Sequence, residues 1–298
     1  MPGVTRLLLP CVWIAWGLSY PLMSWSLEAV DLFSGRLIIM PISGAILLAF
    51  GVLNGASALP DRRLWGQIAL TGLFNMGLFQ IFLIAGIALL GPSRTPIIVY
   101  TMPIWSALLG VFVLKERITL RIALSLALSL AAVGIIISQE TAARTAPIGT
   151  LLTLLAAISF GIGTVLTKRM AVAGDPTINA AWQILLGTVP VVIVWLVFAR
   201  DAYFRPEHAR GLFALAWLIL VSNVLAYACW FRIIRALPAT VAGLTTLVVP
   251  CIGFGSSALM TKAPVSWLDG VALGLIIAAV SLALTRRKPA KWPDEARR

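Results

Sequence analysis

The stretch Thr95–Arg117, TPIIVYTMPIWSALLGVFVLKER, decides the fold. It has the length of one membrane-crossing helix, with Pro103 near its middle and the charged cluster Lys115-Glu116-Arg117 at its end. The chain repeats it. Residues Ala242–Pro264, 147 positions on, read AGLTTLVVPCIGFGSSALMTKAP, which sets Pro250 against Pro103, Lys262 against Lys115, and Leu237 against the preceding Leu90. Glu116 falls on Ala263. Self-similarity at a lag of half the chain predicts a duplicated unit.

The rest of the composition says what kind of unit this is. Of 298 residues, 60% are hydrophobic and 11% charged, far from the balance of a soluble domain. Leu7–Leu27, Leu64–Leu90 and Ala236–Thr261 are uncharged runs longer than the roughly 20 residues that cross a bilayer. A soluble core helix shows a polar stripe, and these show almost none. The net charge of +12 sits between the apolar runs, so it reads as a topological signal rather than a nucleic-acid patch, and no nucleic-acid partner is expected. Cys11, Cys229 and Cys251 fall inside apolar segments without metal-like spacing and read as small buried hydrophobes. The first apolar run reads as an uncleaved span.

Ten spans are expected, near residues 7–27, 34–53, 65–90, 95–114, 120–138, 148–168, 178–199, 211–234, 239–260 and 266–285. With a cytoplasmic N-terminus, only Arg36, Arg94, Arg144, Arg200, Arg205, Arg210 and Lys262 lie outside, leaving 16 of the 23 basic residues inside. Both termini are therefore expected in the cytoplasm. The halves meet near Arg144–Gly149, giving a first repeat over 1–144, a second over 145–288 and a cytoplasmic tail over 289–298. Five spans per half is an odd number, so the second copy must insert with opposite orientation. The expected fold class is an all-α polytopic membrane protein of ten transmembrane helices in two inverted five-helix repeats. That plan is common among transporters, with the solute site between the repeats near the midplane.

Trp16-Gly17, Arg36, and the run from Leu90 through Pro103 to Lys115-Glu116-Arg117 resemble the first repeat of the EamA family in the drug/metabolite transporter superfamily. Ser159–Lys168, then Leu237 through Pro250 to Lys262, resemble the second, with Ala263 departing from the acidic residue common there. The resemblance implies a ten-helix exporter in a bacterial inner membrane. Family members export amino acids and related metabolites, the aromatic amino acid exporters of the YddG type among them.

Catalytic chemistry finds little to work with. His208, the one histidine, lies in a loop beside Glu207 and Arg210, too little for a zinc site or a His-based triad. No acidic residue falls at the middle of a span, so paired-carboxylate chemistry and a proton-carrying carboxylate are both unexpected. No catalytic residues, metal or cofactor are expected, and uniport is the simpler mechanism.

A solute face must then be neutral, polar and aromatic. Thr71, Asn75 and Phe79 share one helical face with Gln80 beside it, and Asn223, Tyr227 and Trp230 share another. Gln80 and Tyr227 occupy corresponding places in the two repeats. Such groups either line a cavity or act as hydrogen-bonding glue between helices. Trp16 and Tyr20 in the first span, Ser159 and Gly163 in the sixth, Tyr100 in the fourth and Thr245 in the ninth complete the candidate substrate-binding set. Pro103 and Pro250 each remove a helix hydrogen bond and are candidate hinges or static kinks. Arg36 and Arg94 are expected near the outer face, snorkelling to headgroups or pairing with a solute carboxylate at the mouth. With no cation expected at mid-membrane, phosphorylated sugars are disfavoured.

The expected partners are the lipid bilayer and a small neutral or zwitterionic solute such as an amino acid, aromatic ones included, moved outward by alternating access. A monomer is compatible with this. The alternatives are a broad-specificity drug exporter and a non-transporting membrane scaffold.

Overall fold

A computed structural model describes residues 3–113, 120–139, 146–170, 174–198, 202–236, 248–262 and 265–284. Thr245, Lys115, Glu116, Arg117, Ala263 and the tail lie outside the described residues. The helices are α1 (Gly3–Gly17), α2 (Ser19–Ala29), α3 (Ser34–Leu53), α4 (Trp65–Gly72), α5 (Phe79–Leu90), α6 (Thr95–Val99), α7 (Met102–Val113), α8 (Leu120–Ser138), α9 (Ala146–Met170), α10 (Pro176–Phe198), α11 (Ala209–Trp217), α12 (Ala226–Ala236), α13 (Val248–Thr261) and α14 (Trp267–Leu284). Two π-helical segments, Leu73–Leu78 and Leu218–Leu225, join α4 to α5 and α11 to α12. Joined this way, five helical runs among the described residues are long and apolar enough to span a membrane, and five shorter apolar helices accompany them. The protein is an all-α polytopic membrane protein of two inverted five-helix repeats. In lipid only helices of this kind satisfy every backbone N–H and C=O within the segment.

The first expected span is divided: the helix is interrupted at Leu18, and α2 runs on to Ala29. The fourth is divided too. Pro103 has no N–H to donate to Val99, and the α-helix lapses at Tyr100 and Thr101 just ahead of it. There the Thr101 hydroxyl donates to the Ile98 carbonyl and accepts the Trp105 indole N–H, replacing helix bonds with side-chain ones.

The two halves are intertwined rather than side by side. Among the most extensive helix pairs are α3 with α10, α8 with α14, α5 with α9, and α2 with α11, each joining one repeat to the other. The first two pair an element with its own counterpart 147 residues on, and the last two pair elements whose counterparts are exchanged. A pseudo-two-fold axis produces this pattern. The π segments obey it as well. Leu73–Leu78 moved on by 147 residues falls inside Leu218–Leu225, so both repeats widen the same helix at the same place.

Small residues set the closeness of these pairs. A Cβ on Gly187 would sit 2.9 Å from the Gly77 nitrogen, and one on Gly77 would sit 2.9 Å from the Gly187 carbonyl oxygen, so α10 and the first π segment touch backbone to backbone. Without a hydrophobic driving force between helices in lipid, such contact and interhelical hydrogen bonds carry the packing. One end of the bundle is sealed by an antiparallel bridge between Val30 and Phe204, with Arg205 N donating to Ala29 O at 2.7 Å and the Tyr203 hydroxyl to Leu27 O at 2.5 Å.

Candidate functional site

Beside the second π segment, and just past the end of the first, lies a cavity of about 380 Å³. Its walls come from Trp16, Ser19, Tyr20 and Met23 on α1 and α2, and Phe79, Gln80 and Leu83 on α5. Tyr100, Met102 and Ser106 add the α6–α7 break, Phe160 and Thr164 α9, and Ser222, Asn223, Tyr227 and Trp230 the second π segment and α12. Gln80 stands ten residues before the end of α5, about 15 Å along the helix, which places the cavity near mid-depth.

The lining is aromatic, with neutral polar groups between the rings. Trp16 packs edge-on to Tyr227 with ring centroids 5.8 Å apart, and lies 5.5 Å from Trp230. Phe79 and Phe160 form a second pair at 5.2 Å. Each pair takes one ring from either repeat. Trp16 is fixed by its indole N–H, which donates to the Ser222 carbonyl oxygen at 3.1 Å, and the Ser19 and Ser222 hydroxyls are hydrogen-bonded to each other at 2.7 Å. Asn223 turns its Nδ2 back to the Leu218 carbonyl at 2.6 Å, five residues earlier, in step with the π winding. Its oxygen remains as an acceptor for the cavity.

Of the residues singled out from the sequence, Trp16, Tyr20, Phe79, Gln80, Tyr100, Asn223, Tyr227 and Trp230 are brought together here. Asn75, Ser159 and Gly163 are not. Asn75 Nδ2 donates to Gln183 Oε1 at 3.2 Å and Thr167 Oγ1 at 3.4 Å, Gly163 packs directly on Asn75, and the Ser159 hydroxyl bonds the Phe74 carbonyl at 2.9 Å. All three serve the seam between helices. The cause is the π segment, whose extra residue breaks the four-residue step that would set Asn75 and Phe79 on one face. Ser19, Met23, Leu83, Met102, Ser106, Phe160, Thr164 and Ser222 join the lining without having stood out, being residue types common in any span. Pro250 is buried in the first turn of α13, next to the undescribed residues before Val248.

Arg36 corrects an expectation. Its Cα lies in the first turn of α3, yet its side chain is 1% exposed and turns inward, Nη1 donating to Gln80 Oε1 at 3.4 Å. A cation therefore does lie buried behind the cavity wall. Arg94 is engaged as well: its Nε lies 3.2 Å from Asp269 Oδ1, which also accepts from Gln139 Nε2 at 3.1 Å. A second hollow, of about 330 Å³ between Asn54–Asp61 and Gly174–Asn179, is bounded by loops at one end of the bundle and contains none of the singled-out residues.

Comparison with known proteins agrees with this architecture. The model of the EamA-like transporter family matches twice, over residues 5–138 and 147–285. The uncharacterized transporter YvbV of Bacillus subtilis is 26% identical over 295 residues, 96% of this chain and 93% of that protein. A probable amino-acid metabolite efflux pump of Escherichia coli is 23% identical over 181 residues, 58% of this chain and 60% of that one. One crystal structure superposes with a TM-score of 0.65 over 95% of this chain and 97% of its own, at 19% identity, a likeness of fold. Two family matches, one per repeat and together spanning nearly the whole sequence, place this chain in the EamA-like transporter family.

Proposed function

We propose that the protein exports small neutral or zwitterionic metabolites, amino acids including aromatic ones among them, across a bacterial inner membrane by alternating access. The observation that carries this is the cavity at the repeat interface, where Gln80 and Tyr227, corresponding positions of the two repeats, line the same hollow. Rocking one repeat against the other would open a site so placed to each side in turn. The rings give an apolar or aromatic side chain surfaces to stack on, while Gln80, Asn223 and the serines supply orienting hydrogen bonds. The efflux of amino-acid metabolites ascribed to the Escherichia coli relative supports the same solute class.

In this reading residues 1–144 and 145–288 are the two moving units, both termini are cytoplasmic, and Pro103 and Pro250 mark where helices bend. Among the described residues no acidic side chain lines the cavity, so facilitated flux without a proton-carrying carboxylate is the mechanism proposed.

The test is uptake of labelled Trp, Phe and Thr into proteoliposomes of the purified protein, with a phosphorylated sugar as control. Saturable amino-acid uptake that falls at least about tenfold in Tyr227→Ala is expected, and the phosphorylated sugar should be excluded. Absence of flux for every solute would favour a scaffold, and competition by organic cations a drug exporter.

A further inference from the structure

We infer that the cavity recognises its solute through a carboxylate, bound by the Gln80 side-chain amide whose oxygen is held by the buried guanidinium of Arg36, and that a solute amine is not required. This rests on reading the cavity as the solute site.

The Arg36 guanidinium keeps its charge in any surroundings, and here it is 1% exposed. Its recorded bond is the long one to Gln80, a neutral partner, and its Nε has no partner among the described residues. The acids nearest it in sequence are engaged elsewhere: Glu28 pairs with Arg210, and Asp31 accepts from the backbone N–H groups of Phe33, Ser34 and Tyr203. A buried cation without a counter-anion is unfavourable, and an anion entering the adjacent cavity relieves it.

Arg36 also fixes how Gln80 can receive that anion. A guanidinium offers only donors, so the amide must turn Oε1 toward it, and Nε2 with its two hydrogens then points away from it. Gln80 lines the cavity, and its Nε2 has no hydrogen-bond partner among the described residues. The result is a neutral donor backed by a full positive charge. This suits a single carboxylate, whereas a phosphate dianion normally draws several direct cationic contacts. Among the described residues, no Asp or Glu lines the cavity to balance an ammonium group. Carboxylates lacking an amine should therefore bind at least as well as the corresponding amino acids.

The test is counterflow of labelled phenylalanine in proteoliposomes of the full-length protein, with 3-phenylpropionate (no amine) and phenylalaninamide (no carboxylate) as competitors. We expect 3-phenylpropionate to compete at least as well as unlabelled phenylalanine, and phenylalaninamide at least about tenfold less well. Gln80→Glu supplies Arg36 with an internal anion. It should keep the melting temperature at or above that of the wild type while bringing the acid-to-amide preference near unity, a ratio that a purely structural role of Arg36 would leave unchanged. Phenylalaninamide competing as strongly as the acid, or Gln80→Glu retaining the wild-type preference, would overturn the inference while leaving transport intact. No phenylalanine flux at all would overturn the transport reading and this one together.

Discussion

Trp16 donates its indole N–H to the carbonyl oxygen of Ser222, joining the first helix of one repeat to the π-helical segment of the other. The same ring packs on Tyr227 and Trp230, so one side chain ties a cavity wall to the fold. Trp16→Phe keeps an aromatic surface but removes the bond. It should cost about 1 kcal/mol of stability and raise KM several-fold with little change in expression, as read by detergent melting curves and uptake kinetics. An unchanged KM would place Trp16 in packing alone.

Gly163 is required for a backbone contact. An added Cβ would lie 2.1 Å from Asn75 Oδ1 and 2.9 Å from the Asn75 backbone nitrogen, which cannot swing aside. Gly163→Ala should destabilise by roughly 1–3 kcal/mol, and adding Asn75→Ala should not restore the wild-type melting temperature. Gly274→Ala, with nothing within 4 Å of the new methyl group, is the control and should be neutral or stabilising.

Asp269 is a buried carboxylate at the start of α14, 1% exposed, held by Arg94, Gln139 Nε2 and the Ser266 N–H. Asp269→Asn removes the negative charge that faces Arg94 Nε. Because Arg94 is 19% exposed, the loss should be smaller than for a fully buried pair, about 2 kcal/mol. Arg94→Gln in the same chain should recover part of it, a coupling that a double-mutant cycle of melting temperatures measures directly.

Cys11 on α1 and Cys229 on α12 have sulfur atoms 3.9 Å apart across the two repeats. In a Cys251→Ala background, a short bis-methanethiosulfonate reagent should link them and stop transport, with recovery on reduction. Full flux in the linked protein would mean that these helices move together.

Much of this arrangement is legible in the sequence, and each part that is not has its own physical reason. Span positions follow from apolar length, and Gln80 and Tyr227 were paired by the 147-residue lag alone. Helical periodicity at 3.6 residues per turn sets Asn75 on the face of Phe79, whereas the π segment, which nothing in LFNMGL announces, turns it toward Gln183 and Thr167. The burial of Arg36 is not legible because sequence fixes where its Cα lies along a span but not which way a long side chain turns. Ser19 and Ser222 went unnoticed since a serine hydroxyl in a span usually bonds the preceding helical turn. Here Ser19 does so through Ala15 O and also reaches across the repeats to Ser222.

The central claim is that one cavity serves both faces of the membrane in turn. Ser106→Cys and Thr164→Cys, each as the single cysteine in a chain lacking Cys11, Cys229 and Cys251, can be labelled with an impermeant thiol reagent from either side of oriented vesicles. The account predicts labelling from both sides, with added phenylalanine shifting the two rates in opposite directions. Labelling from one side alone, at a rate indifferent to phenylalanine, would contradict it.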